Sequence, residues 1–564
     1  MNRIRTILIL FVLVMSTKVS MAQLSGFTTD AGKPHILVKD ADIDANETVT
    51  WYKTNVYILE GFVYVEDGAT LTIQPGTVIK SKEGQALNAS ALIISRGAKI
   101  YAEGTPTEPI IFTSVLDSVA LPDYDPNDNV DYTLDRGLWG GVALLGKAPN
   151  NVGTDVLLEG LPDDPRGYYG GTDATDNSGV FRYVSIRYSG TVVEANKELQ
   201  GLSGGSLGSG TTIEYVESFN SADDGYEFFG GTVNTKYLIS AFADDDAFDY
   251  DQGFSGNHQF WFGIQAADAG DRVGEFDSGD DPNFTASPKG SPVVYNATFI
   301  GGGENSDNSK ADAMFIYKEY GAGEQHNGVY GEYPGLGVKV DSAAGETSYS
   351  RFEAGELVFE DNLWYGLGKG LADRPAVESY IMANNTMLSA TPLKGIARVH
   401  DDATKLDPRP AVGSAAFSGA PLPPSNGFFS QVDYYGAFSP NNNWAAGWTA
   451  LYQSGIIDES GVVTSIKEEK KNNSKPSSIT LHQNYPNPFN PTTNISFELP
   501  DAQKVTIQVY DMLGRMVATL ANQTRYSAGE NTVSFDASNL SSGVYIYRLS
   551  TVNAVVTRKM TLIK

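Results

Sequence analysis

The sequence predicts an all-β protein, with a long parallel β-helix (solenoid) body followed by a small Ig-like β-sandwich. Three observations carry that prediction. Gly at 59 of 564 residues and aromatics at 11 % favour turns and strands over helices. A gap-free internal repeat of 22 residues occupies the middle of the chain. Near the end, a polar stretch gives way to short alternating runs spaced about ten residues apart, the rhythm of a sandwich. The 41 % hydrophobic fraction supports a large core and excludes a disordered chain. A formal net charge of −28 argues against nucleic acid and anionic membrane surfaces as partners, since both are held by clustered Lys and Arg. The absence of cysteine removes disulfides, thiolate zinc sites and cysteine nucleophiles together.

At the N-terminus, Arg3 and Arg5 precede an apolar run over residues 6–15, and Ser20, Met21 and Ala22 supply small residues before Gln23. This pattern predicts a signal peptide over 1–22. The run is too short to cross a hydrocarbon core, which needs about 20 apolar residues, and no later segment qualifies as a transmembrane span.

Residues 23–457 are the expected body. Early strands alternate around 62–65, 69–73, 92–94 and 110–112, and the pattern Gly68-Ala69-Thr70-Leu71 recurs 29 residues on as Gly97-Ala98-Lys99-Ile100. The sharper repeat aligns residues 215–228 with 237–250. It pairs Asp223 with Asp245, Asp224 with Asp246, Tyr226 with Phe248 and Glu227 with Asp249. A weaker third copy continues the period and places Asp268 under Asp246 and Asp271 under Asp249. A period of 22 is too short for a propeller blade and lacks the leucine pattern of leucine-rich repeats. It fits one coil of a parallel solenoid, whose turns bury their inner face by stacking on one another. Residues 181–186 and 292–300 read as further rungs, with irregular spacing that requires inserted loops.

The repeat has a chemical consequence. Solenoid rungs lie about 4.8 Å apart, so equivalent carboxylates stack in columns. Two unit charges at that spacing repel by roughly 1 kcal/mol in water and about 3–4 kcal/mol at an effective dielectric of 20. Residues 217–281 hold 15 Asp and Glu against only Lys236 and Arg272. Calcium, which takes six to eight oxygen ligands, is the expected cofactor. Its candidate ligands are Asp223, Asp224, Glu227, Asp245, Asp246, Asp249 and Asp251. Strand alternation in Phe248-Asp249-Tyr250-Asp251 puts both aromatics on one face and both carboxylates on the other. Two other readings stay open: solvated turn residues bonding their own backbone, and a catalytic acid pair. A second acidic stretch, 123–131, has oxygens at alternate positions. It departs from the EF-hand pattern, with Asp128 where Gly is required and Leu134 where the bidentate Glu should be.

The five histidines (His35, His258, His326, His400 and His482) show no metal spacing and are expected at the surface or in packing. The aromatics at 260–262 read as packing before a sugar platform. Gly301-Gly302-Gly303 is not followed by a helix pattern, which argues against a phosphate loop.

Residues 458–478 hold almost nothing to bury and predict a solvated linker. After them, Asn484-Tyr485-Pro486-Asn487-Pro488-Phe489-Asn490-Pro491 closely resembles the opening motif of the type A C-terminal sorting domain of type IX secretion. Val509-Tyr510-Asp511 with Gly514-Arg515, then Ser542-Gly543-Val544-Tyr545-Ile546-Tyr547, and the basic end from Arg558-Lys559 to Lys564 resemble the same family. The resemblance covers 479–564. It implies export of the folded body by the type IX machinery of a Gram-negative bacterium, followed by secretion or attachment at the outer-membrane cell surface. The body resembles exported right-handed β-helix proteins through Gly137-Leu138-Trp139-Gly140-Gly141-Val142, Glu227-Phe228-Phe229-Gly230-Gly231-Thr232-Val233-Asn234, and Asp249-Tyr250-Asp251-Gln252-Gly253 leading to Gln259-Phe260-Trp261-Phe262. That likeness implies fold and no activity.

The sequence therefore points to a non-enzymatic secreted or surface protein that binds calcium, with glycan-binding or adhesion as its expected role. The alternative is a polysaccharide lyase or glycoside hydrolase acting through the acidic face near Asp245 and Asp249. Asp245-Asp246 faintly resembles the double aspartate of polygalacturonases. That family's Asn-Thr-Asp, Arg-Ile-Lys and Gly-His-Gly segments are absent.

Overall fold

The computed structural model describes residues 30–40, 42–119, 130–194, 197–279, 284–342, 347–400, 402, 404–457, 479–481, 484, 489–500, 502–512, 515–526, 529–551 and 555–564. The signal segment 1–22, the linker 458–478, residues 123–129 of the second acidic stretch, His482, Gly514 and residues 485–488 of the tail motif lie outside the described residues. The chain divides into two compact units, Met1–Val463 and Thr464–Lys564.

The first unit is a parallel β-helix. One face is a ten-stranded all-parallel sheet, in chain order Phe62–Val65, Ala91–Ile94, Gly141–Leu145, Leu202–Leu207, Tyr226–Gly231, Phe248–Asp251, Gly274–Phe276, Ala313–Tyr317, Leu336–Val340 and Gly370–Ala372. Each strand pairs only with those one coil before and after it, so inward positions form columns. Val142 stacks on Leu92 and Leu202, Leu202 on Tyr226, and Tyr226 on Phe248. A second, 19-stranded parallel sheet supplies the other faces of each coil. Its register confirms the 29-residue repeat, with Thr70 beside Lys99 and Leu71 beside Ile100. It also confirms the 22-residue repeat, with Val216 beside Leu238. Burying these columns at about 25 cal/mol per Å² is what holds a chain without disulfides together.

The third copy of the repeat corrects the sequence reading. Phe248 pairs with Gly274 and Asp249 with Glu275, so this coil is 26 residues long rather than 22. Asp271 therefore lies under Asp245, donating its amide to the Asp245 carbonyl at 3.0 Å, and not under Asp249. Four extra residues around Asp268 are absorbed in the turn, where periodicity alone cannot register them.

Along the larger sheet runs a column of left-handed residues, within a strand at Tyr183, Tyr215 and Tyr237 and between two consecutive strands at Phe260, Asn296, Asn327 and Asp361, all with φ between +48° and +62°. Left-handed backbone is unfavourable for bulky side chains. Here ring stacking offsets the strain, since Tyr183–Tyr215 and Tyr215–Tyr237 centroids lie 4.4 and 4.2 Å apart and nearly parallel. Residues 393–457 cover this column. Trp444 and Trp448 meet the tyrosine rings edge-on, and the amides of Ala450 and Leu451 donate to the fully buried Glu217 carboxylate at 2.6 and 3.2 Å. The helix Pro375–Asn384 inserts Val377 and Ile381 into the main core.

The second unit consists of two antiparallel sheets: Thr480–Leu481, Thr492–Leu499 and Gly529–Asp536 in one, and Gln503–Asp511, Met516–Tyr526, Gly543–Ser550 and Val555–Leu562 in the other. Alternating residues such as Ile495, Phe497, Val505, Ile507, Tyr547 and Leu549 fill its core, as a small sandwich requires. The motif residue Phe489 is buried in that core, and the Asn484 amide nitrogen donates to the Tyr547 hydroxyl at 2.8 Å.

Candidate metal centre

The site begins with two consecutive aspartates at a turn. Asp223-Asp224 leads into Tyr226–Gly231, and Asp245-Asp246 leads into Phe248–Asp251 one coil later. The Gly201, Gly225 and Ala247 amides bond to the carbonyls of Asp224, Asp246 and Arg272 at 2.9, 2.9 and 3.1 Å, which stacks the turns. Side chains tie them as well. Asp224 Oδ1 accepts from the Asp246 amide at 2.9 Å, and Asp246 Oδ1 accepts from the Arg272 amide at 2.5 Å. Gly225 is required between them, because a Cβ there would sit 2.1 Å from Ser240 Oγ. Asp224 and Asp246 thus hold the solenoid with one oxygen each.

The following strands add a second column. Phe248 and Tyr250 point inward and are buried in the core, as alternation predicts. Glu227, Asp249 and Glu275 stack in register on the other face. Among the described residues, three sets of carboxylates have ligand oxygens within 4.8 Å of one another: Asp223, Asp224 and Asp245; Asp224, Glu227 and Asp249; and Asp245, Asp246 and Asp271. Six of the seven sequence-derived candidates fall in these sets. Asp251 does not; its Oδ1 accepts from the Gln252 amide at 2.5 Å.

Electrostatics divide the ladder in two. At its far end the protein supplies its own cations. Arg272 Nη1 lies 2.9 Å from Asp271, 2.6 Å from Glu275 and 3.8 Å from Asp246. Lys318 contacts Glu275 and lies 3.4 Å from Asp277, and Lys339 pairs with Asp312 at 2.7 Å. At the near end, among the described residues, no Lys or Arg nitrogen pairs with Asp223, Asp224, Glu227, Asp245 or Asp249. Lys236, the other cation of the segment, lies against Phe428 and Ser430.

Burial and the neighbouring carboxylates push the acids up together. Asp223 is raised to about 8, by burial first and then by Asp245 and Glu198. Asp224, Glu227, Asp246 and Asp249 are raised well above the usual carboxylate range, again by burial first and then by neighbouring carboxylates, with the Gln200 hydrogen bond opposing the shift at Glu227 and Arg272 opposing it at Asp246. Asp271 rises only to about 6, because Arg272 opposes the shift.

Sequence reasoning missed Gln200. Its side chain is 5 % exposed, its Nε2 donates to Glu227, and its Oε1 takes no hydrogen bond. It comes from the preceding coil, 24 residues before Asp224 in sequence and outside the repeat, so no periodic signal points to it. Asp249 Oδ1 is likewise sealed from solvent without a partner. The other signals resolve as packing. Phe260, Trp261 and Phe262 are buried in the core, and His258 is buried against Phe254 and Trp261 and held neutral, with a pKa lowered to about 3.

A stacked parallel solenoid with an acidic turn ladder and an antiparallel sandwich tail defines a two-unit β-helix protein. Residues 43–364, more than half of the chain, match the pectate-lyase like beta helix domain, and the chain belongs to that family. Residues 483–564 match the secretion system C-terminal sorting domain, which makes this a secreted or cell-surface protein directed to the type IX machinery. No curated protein matches the chain. No helix among the described residues is long and apolar enough to cross a membrane.

Proposed function

We propose that this is a non-enzymatic surface or secreted protein whose acidic turn ladder binds calcium, in a glycan-binding or adhesion role. The observation that supports it is the abrupt change in countercharge along one column. Where Arg272 and Lys318 are present, the stacked carboxylates are neutralised from within. Two coils earlier, equally crowded carboxylates have no protein cation among the described residues. Oxygens bound to one calcium ion at 2.3–2.6 Å lie at most about 5 Å apart, and the observed sets fall within that reach. An uncompensated charge in such a place is costly, so the site takes either protons or a cation.

The alternative is a polysaccharide lyase or glycoside hydrolase using the acidic face near Asp245 and Asp249, with paired carboxyl groups as its working acids. In the proposed organisation, 1–22 is a leader removed on export, 23–457 is the cargo, 458–478 is a tether and 479–564 is the sorting domain. Thermal melting with calcium and with chelator tests the metal reading. A melting temperature that rises with calcium and falls on chelation is expected, and an unchanged one contradicts it. Incubation with acidic and neutral polysaccharides should release no new reducing ends or unsaturated products; their appearance would establish the enzyme instead.

A further inference from the structure

Among the described residues of the second unit, four large apolar side chains are exposed: Met512, Met516, Val544 and Ile563, each 40 to 60 % open to solvent. All four fall at one end of the four-stranded sheet, whose strands lie side by side in the order Met516–Tyr526, Gln503–Asp511, Gly543–Ser550 and Val555–Leu562. Met516 stands opposite Tyr510, Tyr510 opposite Ile546, and Ile546 opposite Lys559. Met512 follows Asp511, whose partner Tyr545 adjoins Val544, and Ile563 follows Leu562, the partner of Gly543. Val509, Tyr545 and Leu562 fill the core, so alternation turns Tyr510, Val544 and Ile563 outward. At a strand spacing of about 4.8 Å, these residues form one apolar corner that crosses the whole width of the sheet.

The corner is held from within. Gln508 Nε2 donates to Met516 Sδ at 3.1 Å, and the Arg548 guanidinium covers the Tyr510 ring at 4.5 Å. The Ile563 amide donates to the Phe489 carbonyl at 3.0 Å and the Lys564 amide to Ser542 Oγ at 2.9 Å, which fixes the chain end against the sheet. None of these contacts covers the four apolar side chains themselves. A gathered apolar patch on a soluble unit marks a contact surface.

Charge narrows what the contact is with. The four strands carry Lys504, Arg525, Arg548, Arg558 and Lys559 against one acid, Asp511, which Arg515 engages at 2.7 Å. In a chain of net charge −28 this sheet is a basic island. Two copies meeting through it would set like charges against each other, so self-association is disfavoured. An apolar centre with a basic border fits a protein surface that is apolar at its centre and rimmed by carboxylates. A sorting domain must present something to its reader, and the exposed apolar groups of this unit are gathered here. We propose that a component of the type IX exporter bearing such a surface docks on this corner, and that Met512, Met516, Val544 and Ile563 are what it reads. The unbranched thioethers of the two methionines can follow a partner's contour.

The test is export of the full chain, with its leader, from a Gram-negative host that has a working type IX machinery, read as the amount at the surface and in the medium against the amount in the periplasm. The combined variant Met512→Ser, Met516→Ser, Val544→Ser and Ile563→Ser should leave about tenfold less protein outside, with the difference held in the periplasm, since it removes the apolar anchors of the contact. Lys559→Glu, a surface change that spares the core, should lower export in the same direction. Ser534→Asp, an exposed position on the other sheet, should export as the wild type does. Circular dichroism and melting of each purified chain verify the fold. Wild-type export of the combined variant or of Lys559→Glu overturns the proposal, as does an equal loss in Ser534→Asp. If the wild-type chain binds phosphatidylglycerol vesicles and the combined variant loses that binding while exporting normally, the corner reads a lipid and the proposal fails.

Discussion

At the residue scale, Asp224, Glu227 and Asp249 carry the account because each is both withdrawn from water and crowded. Removing one charge should relieve the metal-free protein. At alkaline pH, where the ladder is ionised, Glu227→Gln is expected to raise the melting stability in chelator by about 1–3 kcal/mol, the cost of a like-charge neighbour at this spacing and intermediate dielectric. The same change should shrink the stabilisation that calcium confers. Calorimetry of both proteins with and without calcium measures the two effects together. The pH dependence follows from the raised acids. Asp223 titrates near 8 and Asp271 near 6 in the folded chain, above the usual carboxylate value. The fold therefore retains protons that the unfolded chain has already lost. That contribution is complete below about pH 4 and disappears as pH rises through about 8. In chelator the protein should melt at a higher temperature at pH 5 than at pH 8.5. Saturating calcium should abolish or reverse that order, since metal and protons compete for the same oxygens. Six of the candidate ligands are legible in the sequence because the repeat stacks them. Gln200 and the role of Asp271 are not. The first lies outside the repeat, and the second is displaced by four inserted residues that only the backbone register reveals.

At the scale of elements, the coil is defined by where its chain reverses. The left-handed column through Tyr183, Tyr215 and Tyr237 gives each coil the same corner, and the stacked rings make the strain tolerable. Tyr215→Asn and Tyr215→Val both lose the stacking. Asn accepts a left-handed backbone, whereas β-branched Val does not. The Val protein should be less stable than the Asn protein by about 1–2 kcal/mol, measured by denaturant unfolding. Equal losses would mean that the corner's conformation contributes nothing. The strand alternation, the paired 29-residue pattern and the inward Phe248 and Tyr250 are all readable from the amino-acid order, because a period of two on a stacked coil leaves each side chain one face to occupy. The cover formed by 393–457 is not. Its Trp444, Trp448 and Ala450 follow no period, and Glu217, which accepts from the Ala450 amide, reads in sequence as one more acid of the repeat.

At the scale of the molecule, the two units have different duties. The sandwich addresses the chain to its exporter, and its motif residues Asn484 and Phe489 are part of its packing as well as its recognisable signature. The body is built by stacking, which lets a cysteine-free chain grow a long core by adding coils. Stacking also repeats every chemical choice, so that two adjacent turns with the same acidic sequence become a column of charge. The far end of that column is closed by Arg272 and Lys318, contributed by later coils. In the proposed reading the near end is left to a cation from the medium, which would tie the body's stability to the calcium outside the cell. Diffraction from crystals of the full chain soaked in a lanthanide, recorded at its absorption edge, tests that claim most directly. An anomalous peak is expected at the acidic turn ladder, between Asp224, Glu227 and Asp249. Lanthanide peaks confined to other parts of the surface, with none at this ladder, would contradict it.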